Sequence, residues 1–275
     1  MISSFFYLFI AGLLGGFIAG LVGIGGGVIY IFFIPFALHY VGVPASEIPQ
    51  YTIANSFFAI LFASSSANYV LYLKKSFFLK EVLLVSTLAI VVSLITLNFI
   101  VNTSWYSLEV FNSVIIVLLL YMLFSTLVSA KKVYLTPLDS LKKWRLSLVG
   151  AAGGFIAALS GLGGGIIIIP LLNSLMKVDI KKASSISSGV IMLSAFFITL
   201  FNLFEKPLNE FHFYNSGYII FPISLALSLG VVLASPIGVK VSRTLSSASI
   251  SYIYASFLGI VIIKKIAELL KTVLQ

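Results

Sequence analysis

The chain has 275 residues, of which 60% are AVILMFWYC and 9% are Asp, Glu, Lys or Arg, whereas about a quarter of a soluble domain is charged. A mean hydropathy of +1.15 leaves too little polar surface to coat a water-soluble body. The net charge of +9 comes from 17 basic residues scattered among loops, with no run long enough to follow a phosphate backbone, and the absence of Cys excludes disulfides, thiol nucleophiles and Cys-ligated metals. The composition is that of an all-α integral membrane protein: its partner is the lipid bilayer, no nucleic acid is bound, and no cofactor is expected.

In chain order, the charges leave eight uncharged stretches: 1–46, 48–73, 82–108, 110–130, 146–176, 183–204, 211–239 and 244–263. Each is long enough to cross about 30 Å of hydrocarbon at roughly 1.5 Å per residue, and none alternates as a barrel strand would. The stretch 1–46 has no basic n-region and its core recurs later, so it reads as part of the mature fold and not as a signal peptide. As single helices, 1–46 would run about 69 Å and 146–176 about 46 Å, so each must break. Both carry the same stretch. Gly15-Gly16-Phe17-Ile18-Ala19-Gly20-Leu21-Val22-Gly23-Ile24-Gly25-Gly26-Gly27 matches Gly153-Gly154-Phe155-Ile156-Ala157-Ala158-Leu159-Ser160-Gly161-Leu162-Gly163-Gly164-Gly165 at ten of thirteen positions, at a constant offset of 138. That is an internal repeat. The expected organisation is a first transmembrane repeat over 1–130, a basic linker over 131–145, and a second repeat over 146–275, each repeat opening with an interrupted segment.

Glycine costs a helix about 1 kcal/mol relative to alanine, and a triplet concentrates that cost at one place. Gly25–Gly27 and Gly163–Gly165, with Gly23 and Gly161 just before them, are expected to unwind the backbone and to open second half-helices near Val28 and Ile166. The amides at such a start carry the positive end of the helix dipole and suit an anion. The alternative is that glycines serve close helix crossing, which the i, i+4 spacing of Gly12, Gly16 and Gly20 fits better than the triplets do. Paired interrupted segments in two halves point to a transporter binding site.

Gly23-Ile24-Gly25-Gly26-Gly27 and Gly161-Leu162-Gly163-Gly164-Gly165, the latter followed by Ile166 to Ile169, Pro170, Leu171 and Leu172, together with the two-half layout, resemble the TauE/SafE sulfite-exporter family over essentially the whole chain. The first copy departs from the pattern: Phe32 stands where Pro170 does, and its proline falls at Pro35. The resemblance implies transport of sulfite, organosulfonates or other small sulfur-containing anions.

Other intramembrane polar residues fit a neutral anion site. Asn55 and Asn68 lie on the helix after the first break, and Ser187, Ser188 and Asn202 lie on its counterpart. Hydroxyl and amide donors can replace the hydration of an oxyanion without a fixed cation, or they can join helices by hydrogen bonds. Within the uncharged stretches there is no carboxylate for a proton relay. Glu47, Glu81 and Glu109, like His39 and His212, stand at their edges and read as solvated loop groups. Ala158-Leu159-Ser160-Gly161 faintly resembles an intramembrane serine-protease box, but no span supplies a base for Ser160, and an enzyme is not expected. The rival to a transporter is a non-transporting scaffold or ancillary subunit. The loops 74–81 and 131–145 hold three and five basic residues, which places them in the cytoplasm of a plasma-membrane protein. The interrupted segments either span or re-enter; re-entry would invert one repeat relative to the other. Beyond Ile263, an amphipathic tail and a simple extension of the last span both fit.

Overall fold

The computed structural model describes residues 2–23, 25–129, 142–209 and 214–273. Helix α1 (Ile2–Val22) is followed by α2 (Gly27–Val41) and, after a 3-10 turn at Ala45–Glu47, by α3 (Ile48–Leu73). Next come α4 (Leu79–Thr96), extended by a π-helical turn Leu97–Val101, and α5 (Leu108–Ser129). The second half repeats the order with α6 (Lys143–Ser160), α7 (Gly165–Pro170) with a π-helical turn Leu171–Leu175, α8 (Ile180–Phe204), α9 (Phe221–Thr244) and α10 (Ser247–Val273). Between α8 and α9, β1 (Asn215–Ser216) pairs antiparallel with β2 (Ile219–Ile220). Among the described residues, five helices, α3, α4, α5, α8 and α9, are long and apolar enough to cross a membrane. This is a multi-pass, all-α membrane protein.

Both expected interruptions are present. Gly23, Gly25 and Gly26 have φ of +80°, +85° and +74°, and Gly161, Gly163 and Gly164 have +67°, +91° and +72°. Side chains with a Cβ rarely enter this left-handed region, so three glycines in each copy let the chain reverse within a few residues. The reversal is close. A Cβ on Gly26 would lie 2.5 Å from the Gly15 carbonyl oxygen, and farther along the Tyr7 and Phe33 rings meet edge to face at 5.1 Å. Helix α2 therefore runs back along α1. Likewise α7 returns along α6, with Gly164 against the Gly153 carbonyl and Ile168 over Gly153. Each interrupted segment is a helical hairpin that enters and leaves at the same end of the molecule.

Gly12, Gly16 and Gly20 serve the close crossing that their spacing implies. A Cβ on them would lie 2.2, 2.7 and 2.0 Å from backbone atoms of Leu227, Val231 and Ser235 on α9. A Cβ on Gly150 or Gly154 of α6 would likewise lie 1.9 or 2.1 Å from the Val85 or Ala89 carbonyl oxygen of α4. Contacts that advance in the same direction on both partners make α1 parallel to α9, and α6 parallel to α4. Without a hydrophobic gradient between helices in lipid, such backbone proximity supplies the van der Waals contact that joins them. At the centre α3 and α8 cross antiparallel: Asn68, near the end of α3, donates to the Ser188 carbonyl near the start of α8 at 2.9 Å. The two halves are thus interlocked rather than juxtaposed.

Helix α10 continues unbroken through Ile263 to Val273. One sequence expectation changes. Glu47 is not a solvated loop group but has no exposed surface. The linker over 131–145 and His212 fall mostly or wholly outside the described residues.

Candidate translocation cavity

The hairpin tips meet in the middle of the fold. Gly25 lies between Ile60, midway along α3, and Ile191, midway along α8; a Cβ on Gly27 would lie 2.7 Å from the Gly161 carbonyl oxygen and 2.6 Å from the Leu162 Cα. Hydroxyls clamp the unwound carbonyls that a helix would otherwise satisfy. Ser56 on α3 donates to the Gly161 carbonyl at 2.7 Å, and Ser184 on α8 donates to the Val22 carbonyl at 2.9 Å. Irregular backbone at membrane depth persists only where protein satisfies it in this way or where it lines a cavity.

It also lines one. A cavity of about 470 Å³ is bounded by the tip of α1 (Gly20 to Gly23) and the start of α7 (Gly165, Ile166), with Ser184, Ser185 and Ser188 of α8 along one wall. Ser125 and Thr126 of α5 and Ser242 of α9 add hydroxyls, while Val22, Leu71, Phe78, Ile169 and Tyr254 supply apolar surface. Lys181 and Lys182, at the start of α8, and Arg243, at the end of α9, complete the lining; no Asp or Glu is among the described lining residues. Asp179 caps α8, accepting from the Lys181 and Lys182 amides at 3.0 and 3.2 Å, which fixes the first turn that carries both cations. Apart from the two central hairpin tips, the helix ends around the cavity belong to one end of the molecule, where α3, α5 and α9 finish and α4, α8 and α10 begin.

Of the residues singled out from sequence, Gly23, Gly165 and Ser188 line this cavity. Asn68 is just behind Ser188, bonded to its carbonyl, and its own Oδ1 has no partner. Gly25, Gly26, Gly27, Gly161, Gly163 and Gly164 shape the tips. Ser187 is buried with its hydroxyl unpaired. Asn202, near the end of α8, donates to the Ile198 carbonyl at 2.9 Å, far from the cavity. Asn55 is fully committed elsewhere: its amide donates to the carbonyls of Tyr51 (2.7 Å) and Tyr218 (3.0 Å), and its oxygen accepts from the Ile220 amide (2.9 Å) and the Ser224 hydroxyl (2.6 Å). Lys181, Lys182, Arg243 and Ser184 did not stand out in the sequence. The lysines and arginine look like ordinary boundary charges until α8 and α9 are brought together.

At the opposite end the described residues are tied together by hydrogen bonds. Gln50 donates to the Val101 carbonyl at 2.9 Å, Tyr106 donates to the Leu159 carbonyl, and Asn55 ties α3 to the start of α9. Glu47 accepts from the Leu208 amide at 2.6 Å, from the Asn209 amide at 3.3 Å, from the Asn209 side chain at 3.2 Å and from the Tyr218 hydroxyl at 3.4 Å. Burial, with the nearby Glu47 charge adding to it, raises the Tyr218 phenol, which stays protonated and can donate.

Comparison with known proteins agrees with a multi-pass membrane protein. The chain is 28% identical over 262 residues to a probable membrane transporter protein of Methanocaldococcus jannaschii, covering 92% of each chain. It is 26% identical over 262 residues to a probable membrane transporter protein of Haemophilus influenzae, covering 92% of this chain and 95% of the relative. The model of the sulfite exporter TauE/SafE family matches residues 8–265, and the chain belongs to that family.

Proposed function

We propose that the protein is a plasma-membrane transporter that exports small sulfur-containing anions, such as sulfite or organosulfonates, by alternating access. The observation that carries this reading is the cavity itself: it reaches from a mouth bearing Lys181, Lys182 and Arg243 to a floor made by both glycine interruptions, with no described carboxylate in its wall. The cations raise the local anion concentration. At the floor, Gly23 of the α1 tip and Gly165 and Ile166 of α7 bring unwound backbone to the cavity wall. The Ser188 hydroxyl provides an exchangeable donor, whereas those of Ser184 and Ser185 are held by the Val22 and Lys181 carbonyls. Of the two interruptions, the tip of α1 contributes Gly23 and the α7 side contributes Gly165, so each repeat supplies one wall of the site.

The parallel packing of α1 on α9 and of α6 on α4, with hairpins that return to their own side, fits halves that are inverted repeats, the design in which one half rocks against the other around a fixed site. Orientation follows from charge. Eleven Lys and Arg of the described residues stand at the cavity end and four at the other, so the cavity faces the cytoplasm. The test is flux of labelled sulfite, thiosulfate and short sulfonates in proteoliposomes containing the purified chain alone. Uptake that saturates with at least one sulfur oxyanion is the expected result. No flux with any of them would leave the chain a scaffold or ancillary subunit.

A further inference from the structure

Glu47 is unusual on two counts: a carboxylate with no exposed surface, and a set of ligands drawn entirely from the other half of the chain. Its residue sits in the 3-10 turn that opens α3, whereas Leu208, Asn209 and Tyr218 belong to the connection between α8 and α9. Taking a carboxylate out of water is costly, and here the charge is compensated by N–H and O–H donors of the α8–α9 connection. These bonds exist only while the two halves are docked at this end. Just below them, Asn55 and Gln50 seal the same end with further bonds between distant segments. The opposite end carries the open cavity. Closure on one side and access on the other are therefore present together, and the seal has a charged centre whose desolvation makes its loss steep once one donor withdraws.

The geometry points to Glu47 as the gate residue of the transport cycle: a latch that holds the non-cavity end shut and must give up its four donors for the anion to leave. This rests on the alternating-access reading above. It assigns Glu47 as a positioning residue that acts through Leu208, Asn209 and Tyr218, not as a group that touches the anion.

The chain has no cysteine, so a single introduced thiol reports alone. Thr52, fully buried one turn beyond the latch with its hydroxyl unpaired, reports on the sealed end, and Ser125 in the cavity wall reports on the open end. Each is replaced by Cys in protein embedded in nanodiscs, which leaves both faces accessible to a membrane-impermeant methanethiosulfonate. Glu47→Ala and Glu47→Gln should raise the labelling rate of Thr52→Cys about tenfold or more while that of Ser125→Cys stays level or falls. Glutamine matters because it keeps the volume but turns one acceptor into a donor facing donors. Should either variant fail to accumulate, Asn209→Ala, which removes one exposed side-chain donor, should give the same change in smaller measure. A residue that merely supports the fold would raise labelling at both positions together, and that result, like unchanged labelling of Thr52→Cys, overturns the assignment. Absence of anion flux in the otherwise unaltered protein would instead overturn the transporter reading, so the two failures are distinguishable.

Discussion

Asn55 shows how one side chain can be read correctly for its polarity and yet not for its partners. Its position near the start of a membrane helix marks it for hydrogen bonding, but three of its four partners lie more than 160 residues away in sequence and are invisible without the fold. With both amide hydrogens donated and its oxygen accepting twice, the side chain is a staple between α3 and the start of α9. Removing it strands the Ile220 amide, the Tyr218 carbonyl and the Ser224 hydroxyl, and each buried group left unpaired costs roughly 1–3 kcal/mol. Asn55→Ala should therefore lower the melting temperature in detergent by several degrees or more. A melting temperature within a degree of the parent's would show that water or a neighbour replaces the amide. The sequence could likewise not expose Glu47, because a carboxylate at the boundary of an uncharged stretch looks the same whether solvated or buried.

At the scale of elements, glycine carries two distinct roles that only their geometry separates. In the triplets it adopts left-handed φ and lets the chain turn; in Gly12, Gly16 and Gly20, and again in Gly150 and Gly154, it keeps ordinary helical geometry and lets two backbones touch. A side chain at the second kind of position has no soft neighbour to displace, because the atoms it meets are backbone. Gly16→Val should separate α1 from α9 and cut the folded, monodisperse yield severely, by about tenfold. Gly259 on α10 has nothing within 4 Å of where a Cβ would stand. Gly259→Ala should accumulate normally and gain a fraction of the roughly 1 kcal/mol by which alanine favours a helix. Size-exclusion profiles of the two variants side by side check both outcomes. The breaks, the two halves and the helical character of every span were legible because length, hydropathy and repetition are local or periodic signals. The direction of α2 and α7 was not, since a chain leaving a glycine turn can continue or return, and packing against α1 and α6 decides.

For the whole molecule, charge is segregated by the fold more sharply than along the chain. Lys181, Lys182 and Arg243 are separated by some sixty residues yet share one cavity mouth. If they gather anions from solution, replacing all three with Gln should raise the apparent KM for the transported anion by about three- to tenfold, while the rate at saturation stays near that of the parent. The same variant should lose much of the dependence of uptake on ionic strength, since steering by exposed charge is screened over about 8–10 Å at physiological salt. Initial uptake rates measured from low to high salt give both numbers. An unchanged KM would show that the anion is recognised only deeper, at the hairpin tips.

By itself the sequence determined the medium, the helical class, the duplication and the two places where the backbone must come apart, because a bilayer admits few ways to satisfy the peptide groups of a long apolar chain. The tertiary structure decided which glycines turn and which pack, which polar side chains are staples and which face a cavity, and which end of the molecule is open. Those properties depend on contacts between segments more than a hundred residues apart, and such contacts are set by close packing and hydrogen-bond satisfaction across the two halves, which leave no periodic trace in either half alone.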